Sequence, residues 1–277
     1  MTATTAAAPP ATQFDDRHTH TTLWHVIKSE WTKFWSVRST PWTLLILFIA
    51  TVGISVVASW GTSISLSKMS PEDRATLDVT NLAMAGIGLG QLALAVLGVI
   101  IISGEYSTGG IKATLTAVPA RLHVLFAKGF ILAVVSLLIG LITAFVAFFI
   151  AMLFWNSHHL EKHLSDPGVL RAVIGGGLYL FASAMFGFAL GAIIRHTAGA
   201  ITAAVALLLI VPPLLNLLPG SWGHTIYKYF TSNAGGQIAT TVQSAKLATP
   251  WVGYITMTIW WVVPLLIGAW MMRKRDA

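Results

Sequence analysis

The sequence contains no cysteine, which excludes a disulfide scaffold, a thiolate metal site and a cysteine nucleophile. Charge is almost as scarce. Asp, Glu, Lys and Arg make up 10% of the 277 residues and the mean hydropathy is +0.74, whereas a typical soluble domain carries about 25% charged residues. No lysine follows a glycine anywhere, so the phosphate-binding pattern GxxxxGK[ST] is absent. No Ser-His-Asp or paired-carboxylate arrangement is readable, which argues against a hydrolase. The chain is therefore not expected to be an enzyme, and no cofactor or metal is expected in it.

The few charges are clustered, and between them lie long apolar stretches. Arg38 and Lys68 bracket 29 uncharged residues, and five more gaps follow: 79–104, 129–160, 172–194, 196–227 and 247–272. A helix crossing a bilayer needs about 20 mostly apolar residues, so six gaps predict six spans: Pro41–Trp60, Asn81–Ser103, Val124–Trp155, Val173–Ile194, Gly199–Leu218 and Trp251–Met272. Tryptophans near their ends (Trp42, Trp60, Trp155, Trp251, Trp270) suit the membrane interface. A cleaved leader is not expected, because the first apolar run starts only at Trp42. The predicted fold class is all-α, a polytopic membrane protein.

Residues 1–22, rich in Thr, Ala and Pro, read as a disordered cytoplasmic tail, and 23–277 as one transmembrane domain. Within Leu23–Ser39, Trp24, Trp31 and Trp35 fall on one helix face, with Lys28, Lys33 and Arg38 as cationic anchors. That pattern predicts an amphipathic helix in the membrane interface. A helix packing its tryptophans on a soluble partner is the alternative, but a span follows directly. Thr40-Pro41 supplies a helix start.

Orientation is read from Lys and Arg alone. With the N-terminus inside, Arg17, Lys28, Lys33, Arg38, Lys112, Arg121, Lys128, Arg195, Arg273, Lys274 and Arg275 lie inside, 11 in all. Lys68, Arg74, Lys162, Arg171, Lys228 and Lys246, 6 in all, lie outside. Both termini are thus expected in the cytoplasm, with the protein multi-pass in the cell membrane. The net charge of +7 would suggest nucleic acid in a soluble protein, but here it follows from this topology and no nucleic acid is expected. Phe230–Ala245 is uncharged yet too polar and short to span. It reads as external re-entrant or surface-lying short helices broken at Gly235-Gly236.

The interiors of the spans carry no Asp, Glu, Lys or Arg, whereas ion-coupled transporters usually need such groups. Gln91, Ser136, Thr143, Ser183 and Asn216 are the polar residues there. They read as interhelical hydrogen-bonding groups before substrate ligands, with Gln91 and Asn216 the pathway candidates. His158, His159 and His163 could share a metal with Glu161 or Asp166 if helical. A polar loop is the simpler account.

The loop after the second span carries the most information. It reads Gly104-Glu105-Tyr106-Ser107-Thr108-Gly109-Gly110-Ile111-Lys112 and ends in Val118-Pro119-Ala120-Arg121. Ile111, Leu115 and Val118 make one apolar stripe on a short helix, which Pro119 stops. Glu105 sits where the helix dipole disfavours an anion, and Arg121 and Lys128 are the nearest cationic candidates to compensate it.

Lys-Ser-Glu-Trp-Thr-Lys at 28–33, Ser-Val-Arg-Ser-Thr at 36–40, Gly-Glu-Tyr-Ser-Thr-Gly at 104–109 and Ala-Val-Pro-Ala-Arg at 117–121 together resemble the membrane subunits of type-2 ATP-binding-cassette exporters, most of all the actinobacterial permeases. The resemblance implies a permease paired with a second copy or a related subunit. Two separately encoded ATPase subunits would supply ATP and Mg chemistry. It implies that Leu23–Ser39 is the connecting helix and Ser107–Val118 a coupling helix docking into the ATPase. Glu105, Tyr106, Gly109, Ile111, Lys112, Leu115 and Arg121 would be the coupling residues. Gly220–Ala245 would match the family's external re-entrant helices. The substrate implied is amphipathic or hydrophobic: a drug, peptide or lipid-like molecule. A non-transporting membrane scaffold or immunity protein is the alternative from another class.

Overall fold

A computed structural model describes residues 22–107, 109–110, 121–244 and 246–274. The expected tail, apart from Thr22, lies outside the described residues. The described part is all-helical. Six helices are long and apolar enough to cross a membrane: Ser39–Lys68, Val79–Ser107, Arg121–Asn156, Val169–Ile194, Thr197–Leu215 and Pro250–Lys274. The protein is thus a multi-pass membrane protein, with each span overlapping the charge-free gap that predicts it.

In chain order, α1 (Leu23–Ser36) leads into the first span, α2 (Ser39–Ser65). Two short helices, α3 (Pro71–Ala75) and α4 (Val79–Ala83), then turn the chain into α5 (Ile87–Ser107). The side chains of Ser70 and Asp78 cap their N-termini. After the 111–120 segment come α6 (Arg121–Asn156) and α7 (Val169–Ile194). The 36 residues of α6 span about 54 Å at 1.5 Å per residue, well beyond a hydrocarbon core of about 30 Å. The fifth span is α8 (Thr197–Val205), a π-turn over Ala206–Ile210 and α9 (Val211–Leu215). Pro212 and Pro213 have no N–H to give to the preceding turn, and the Val211 N–H reaches five residues back to the Ala206 carbonyl.

Between the fifth and sixth spans lie α10 (Gly220–Tyr229), α11 (Thr231–Gly235) and a 3₁₀ turn over Gly236–Ala239, before α12 (Pro250–Lys274). As expected these elements are short and do not span. Their break falls at extended Phe230, however, and at Gly235-Gly236 the helix only tightens to 3₁₀. Thr231, Ala234 and Ile238 are buried. Arg171 of α7 clamps the segment by donating to the carbonyls of Ile238 (3.2 Å) and Thr240 (2.9 Å). That satisfies backbone which could not face lipid.

The long helix α7 is central and buried on nearly every side. It runs parallel to α5 at close range. A Cβ on Gly187 would strike the Ala95 backbone, and one on Gly98 the Ala184 carbonyl, so the two chains meet where no side chain fits. Gly187→Ala should therefore cost about 1–3 kcal/mol through overpacking and lower the unfolding midpoint in detergent. Gly53→Ala, with nothing within 4 Å, should be neutral or slightly stabilising. Equal responses at the two positions would contradict the packing.

The outer surface is apolar, with Ile46, Val57, Leu153, Ile255 and Leu266 more than half exposed, as a bilayer-facing surface requires. One end of the bundle holds α1, the start of α6 and the end of α12. This is called the α1 end; α3, α4, α10 and α11 lie at the far end.

Candidate functional site: an ionic ring at the α1 end

The residues of α1 sort onto two faces. Val26, Glu30 and Phe34, four apart, are buried, while Trp24, Trp31 and Trp35 stay exposed on the neighbouring face. Val26 packs on Val124 and Ala127, one turn of α6. That seating carries Glu30 to Lys128, the next residue of α6. Lys28 and Arg38 are exposed, as anchors in an interface would be.

Lys128 Nζ lies 2.6 Å from Glu30 Oε2 and 2.8 Å from Glu105 Oε1. Lys33 Nζ lies 2.9 Å from Glu30 Oε1 and 3.2 Å from Glu105 Oε1. Two ammoniums and two carboxylates thus alternate in a closed ring. Each acid touches both bases, and the ring's formal charge is zero. It joins α1, the last turn of α5 and the second turn of α6. Burial is uneven: Lys128 and Glu30 are 5% and 6% exposed, Glu105 20% and Lys33 45%. Burial alone would lower the Lys33 ammonium, but hydrogen bonds and charge from Glu30 and then Glu105 outweigh it and hold the group above its ordinary range.

Around the ring the end of α5 is fastened elsewhere too. The Arg195 guanidinium lies 5.2 Å from the centroid of the Tyr106 ring. Arg195 itself has a left-handed φ of 58° that ends α7. Ser103 Oγ donates to Thr197 Oγ1 at 3.0 Å. Gly109 follows with φ +72°, a conformation that favours glycine, and its N–H reaches the Tyr106 carbonyl at 3.3 Å. Four elements therefore converge on the three turns before the 111–120 segment. Among the described residues the node aims no nucleophile or acid–base pair at a cavity. What it can do is transmit a displacement of that segment to α1, α6 and the α7–α8 turn.

Residues 70–277, three quarters of the chain, match a family model described as "Protein of unknown function (DUF2705)". The chain belongs to that family. No curated protein matches the sequence. The DUF2705 match contains Glu105 and Lys128 but begins after Glu30 and Lys33, so the ring closes between the family's region and the helix that precedes it.

The structure brings together only some of the residues singled out in the sequence. Glu105 and Lys33 join the ring, with Lys128 as the expected counter-charge. Arg121, the other candidate counter-charge, sends Nη1 instead to the Met272 carbonyl at 3.3 Å, joining the ends of α6 and α12. Ile111, Lys112 and Leu115, and most of the expected coupling helix, lie outside the described residues. Gln91 is buried, gives Nε2 to the Gly88 carbonyl at 3.0 Å and accepts from the Tyr179 hydroxyl through Oε1. Asn216, expected inside the fifth span, is exposed just past it, because that span ends at Leu215. Helix α6 ends at Asn156 and His159 has φ 55°, so His159 and His163 do not share a helical turn. Among the described residues no group of three His, Asp or Glu converges on a metal position.

Glu30 escaped sequence reasoning, which also treated the span interiors as free of charge although Lys128 lies two turns inside α6. One signal was available. Glu30 and Lys33 form an i, i+3 pair on the face that Val26 and Phe34 mark as buried, and a buried acid needs a partner from elsewhere.

Proposed function

We propose that this DUF2705 protein is the permease subunit of an ATP-binding-cassette exporter, carrying an amphipathic or hydrophobic substrate such as a drug, peptide or lipid-like molecule. The observation that carries the reading is the ionic ring. It fastens the N-terminal helix to the end of the second span, immediately before the segment that resembles a coupling helix. An ATPase pushing on that segment would move α1, α5 and α6 together. Away from the ring the interiors of the spans carry no formal charge, which suits an apolar passenger and an external energy source. ATP and Mg belong to the partner ATPase, and a second permease copy or a related subunit completes the pathway. The α1 end then faces the cytoplasm of the cell membrane, with both termini inside.

Affinity purification of the full chain from its native membrane tests this. The reading expects an ATP-binding-cassette ATPase in stoichiometric amount and Mg-dependent ATP hydrolysis in the eluate. A chain recovered without any ATPase from a mild extraction that preserves other such transporters would overturn it. Orientation is tested by single-cysteine labelling, clean here because the native chain has no cysteine. Ser221→Cys should react with an impermeant maleimide in intact cells, and Asp276→Cys only after permeabilisation. The reverse pattern would invert the topology.

A further inference from the structure

An apolar groove of about 420 Å³ runs between α6 and α12 over the surface of α7. Leu125, Phe126 and Phe130 of α6 line one wall, Leu266 and Ala269 of α12 the other, and Phe188 of α7 the floor. Phe126 is 55% exposed, Phe130 46% and Leu266 64%, so the groove opens sideways to the surrounding lipid. Its volume lies in the ~300–1,000 Å³ range of small-molecule sites. Along α6 it extends from Leu122 to Ala133, about 17 Å at 1.5 Å per residue, or roughly half of a 30 Å hydrocarbon core. It is as long as one acyl chain in one leaflet.

Past the lining residues Leu122 and Ala269, the ends of the two helices that flank the groove are basic. Arg121 begins α6, and its Nη1 bridges to Met272 across the gap. Arg273 and Lys274 end α12, both exposed, with Lys274 Nζ 4.5 Å from the Trp270 ring centroid. Neither α6 nor α12 carries a single carboxylate. An apolar slot closed at one end by cations matches a molecule with a hydrocarbon tail and a negative head. Basic pockets between membrane helices take anionic headgroups for this reason.

We infer that the α6–α12 groove is a binding site for an anionic phospholipid of the leaflet at the α1 end, its acyl chain lying along Phe126, Phe130 and Leu266 and its phosphate held by Arg273 and Lys274. Such a lipid fills a gap that no protein segment covers among the described residues. It also braces α12 against α6, which the Arg121–Met272 bridge joins only at the tip. The inference does not depend on the transport reading.

The test uses the full chain, delipidated in detergent, with thermal unfolding followed as lipid is added. Phosphatidylglycerol should raise the midpoint by several degrees, phosphatidylcholine with the same chains by clearly less, and inorganic phosphate not at all. Ala269→Phe, which fills the groove, should abolish the phosphatidylglycerol shift. The pair Arg273→Gln and Lys274→Gln should reduce it to the phosphatidylcholine value. Equal shifts from the two lipids, a full shift from phosphate alone, or an unaltered shift in Ala269→Phe would each overturn the assignment. If Ala269→Phe does not fold, the charge variant decides, since both residues lie at the helix end, and a preserved preference for phosphatidylglycerol there overturns it.

Discussion

Lys128→Met should destabilise the protein by about 3–5 kcal/mol, the range for leaving a buried ion-pair partner uncompensated. Lys128 is the bridge between Glu30 and Glu105 at 2.6 and 2.8 Å, and methionine fills its space without its charge. Of the ring's two ammoniums Lys33 would then remain, 45% exposed and screened by water. Lys33→Met should cost under about 1 kcal/mol, because an exposed ammonium contributes little in a high-dielectric setting. The contrast between the two lysines, measured by thermal unfolding in detergent, is the test. Adding Glu30→Gln and Glu105→Gln to Lys128→Met should restore much of the loss, because neutral amides need no counter-charge and can hydrogen-bond to one another. Equal destabilisation by the two lysine variants would mean that the ring contributes no more than surface pairing.

The second large effect concerns the partner. The sequence spacing of Ile111, Leu115 and Val118 puts an apolar stripe in the segment that follows the ring. If that stripe is buried in an ATPase, Ile111→Asp or Leu115→Asp places a charge in the contact. A penalty of about 3 kcal/mol weakens association roughly a hundredfold. The permease should still insert and fold, since neither residue belongs to a span, but the ATPase should no longer co-purify. Glu105→Gln should separate the two functions. The Lys128–Glu30 and Lys33–Glu30 pairs remain, so α1 stays seated and the ATPase still binds. The link from α1 and α6 to the end of α5 loses its charge, so ATP hydrolysis by the assembled complex should fall about tenfold or more. The measurements are ATPase recovery and hydrolysis rate in nanodiscs for the three variants. Wild-type behaviour in all three would make the segment a plain connection, and the proposed coupling role would fail.

Much of this protein was legible in the sequence because the bilayer imposes its rules locally. A charge in hydrocarbon costs so much that the gaps between Asp, Glu, Lys and Arg mark the spans with no knowledge of packing. The same logic marks Phe230–Ala245 as non-spanning and α1 as a two-faced helix. Glu105 too could be picked out, since an acid at a helix C-terminus opposes the dipole. The sequence by itself therefore determined the class, the number of spans and the place where a charge had to be answered.

What answered that charge was decided by tertiary structure alone. Glu30 lies 98 residues from Lys128 in the chain, and Lys33 lies 72 from Glu105. No local periodicity relates such positions. Arg121 and Lys128 are equally plausible partners for Glu105 by sequence. The choice follows from which faces of α1 and α6 pack together, and so from the fit of Val26 against Val124 and Ala127. The parting of α6 from α12, which opens a lipid-facing groove beneath three cations, is likewise a matter of how helices rest on α7. Water and lipid select the elements one residue at a time, whereas ion rings and grooves exist only between elements whose distance the chain order does not encode.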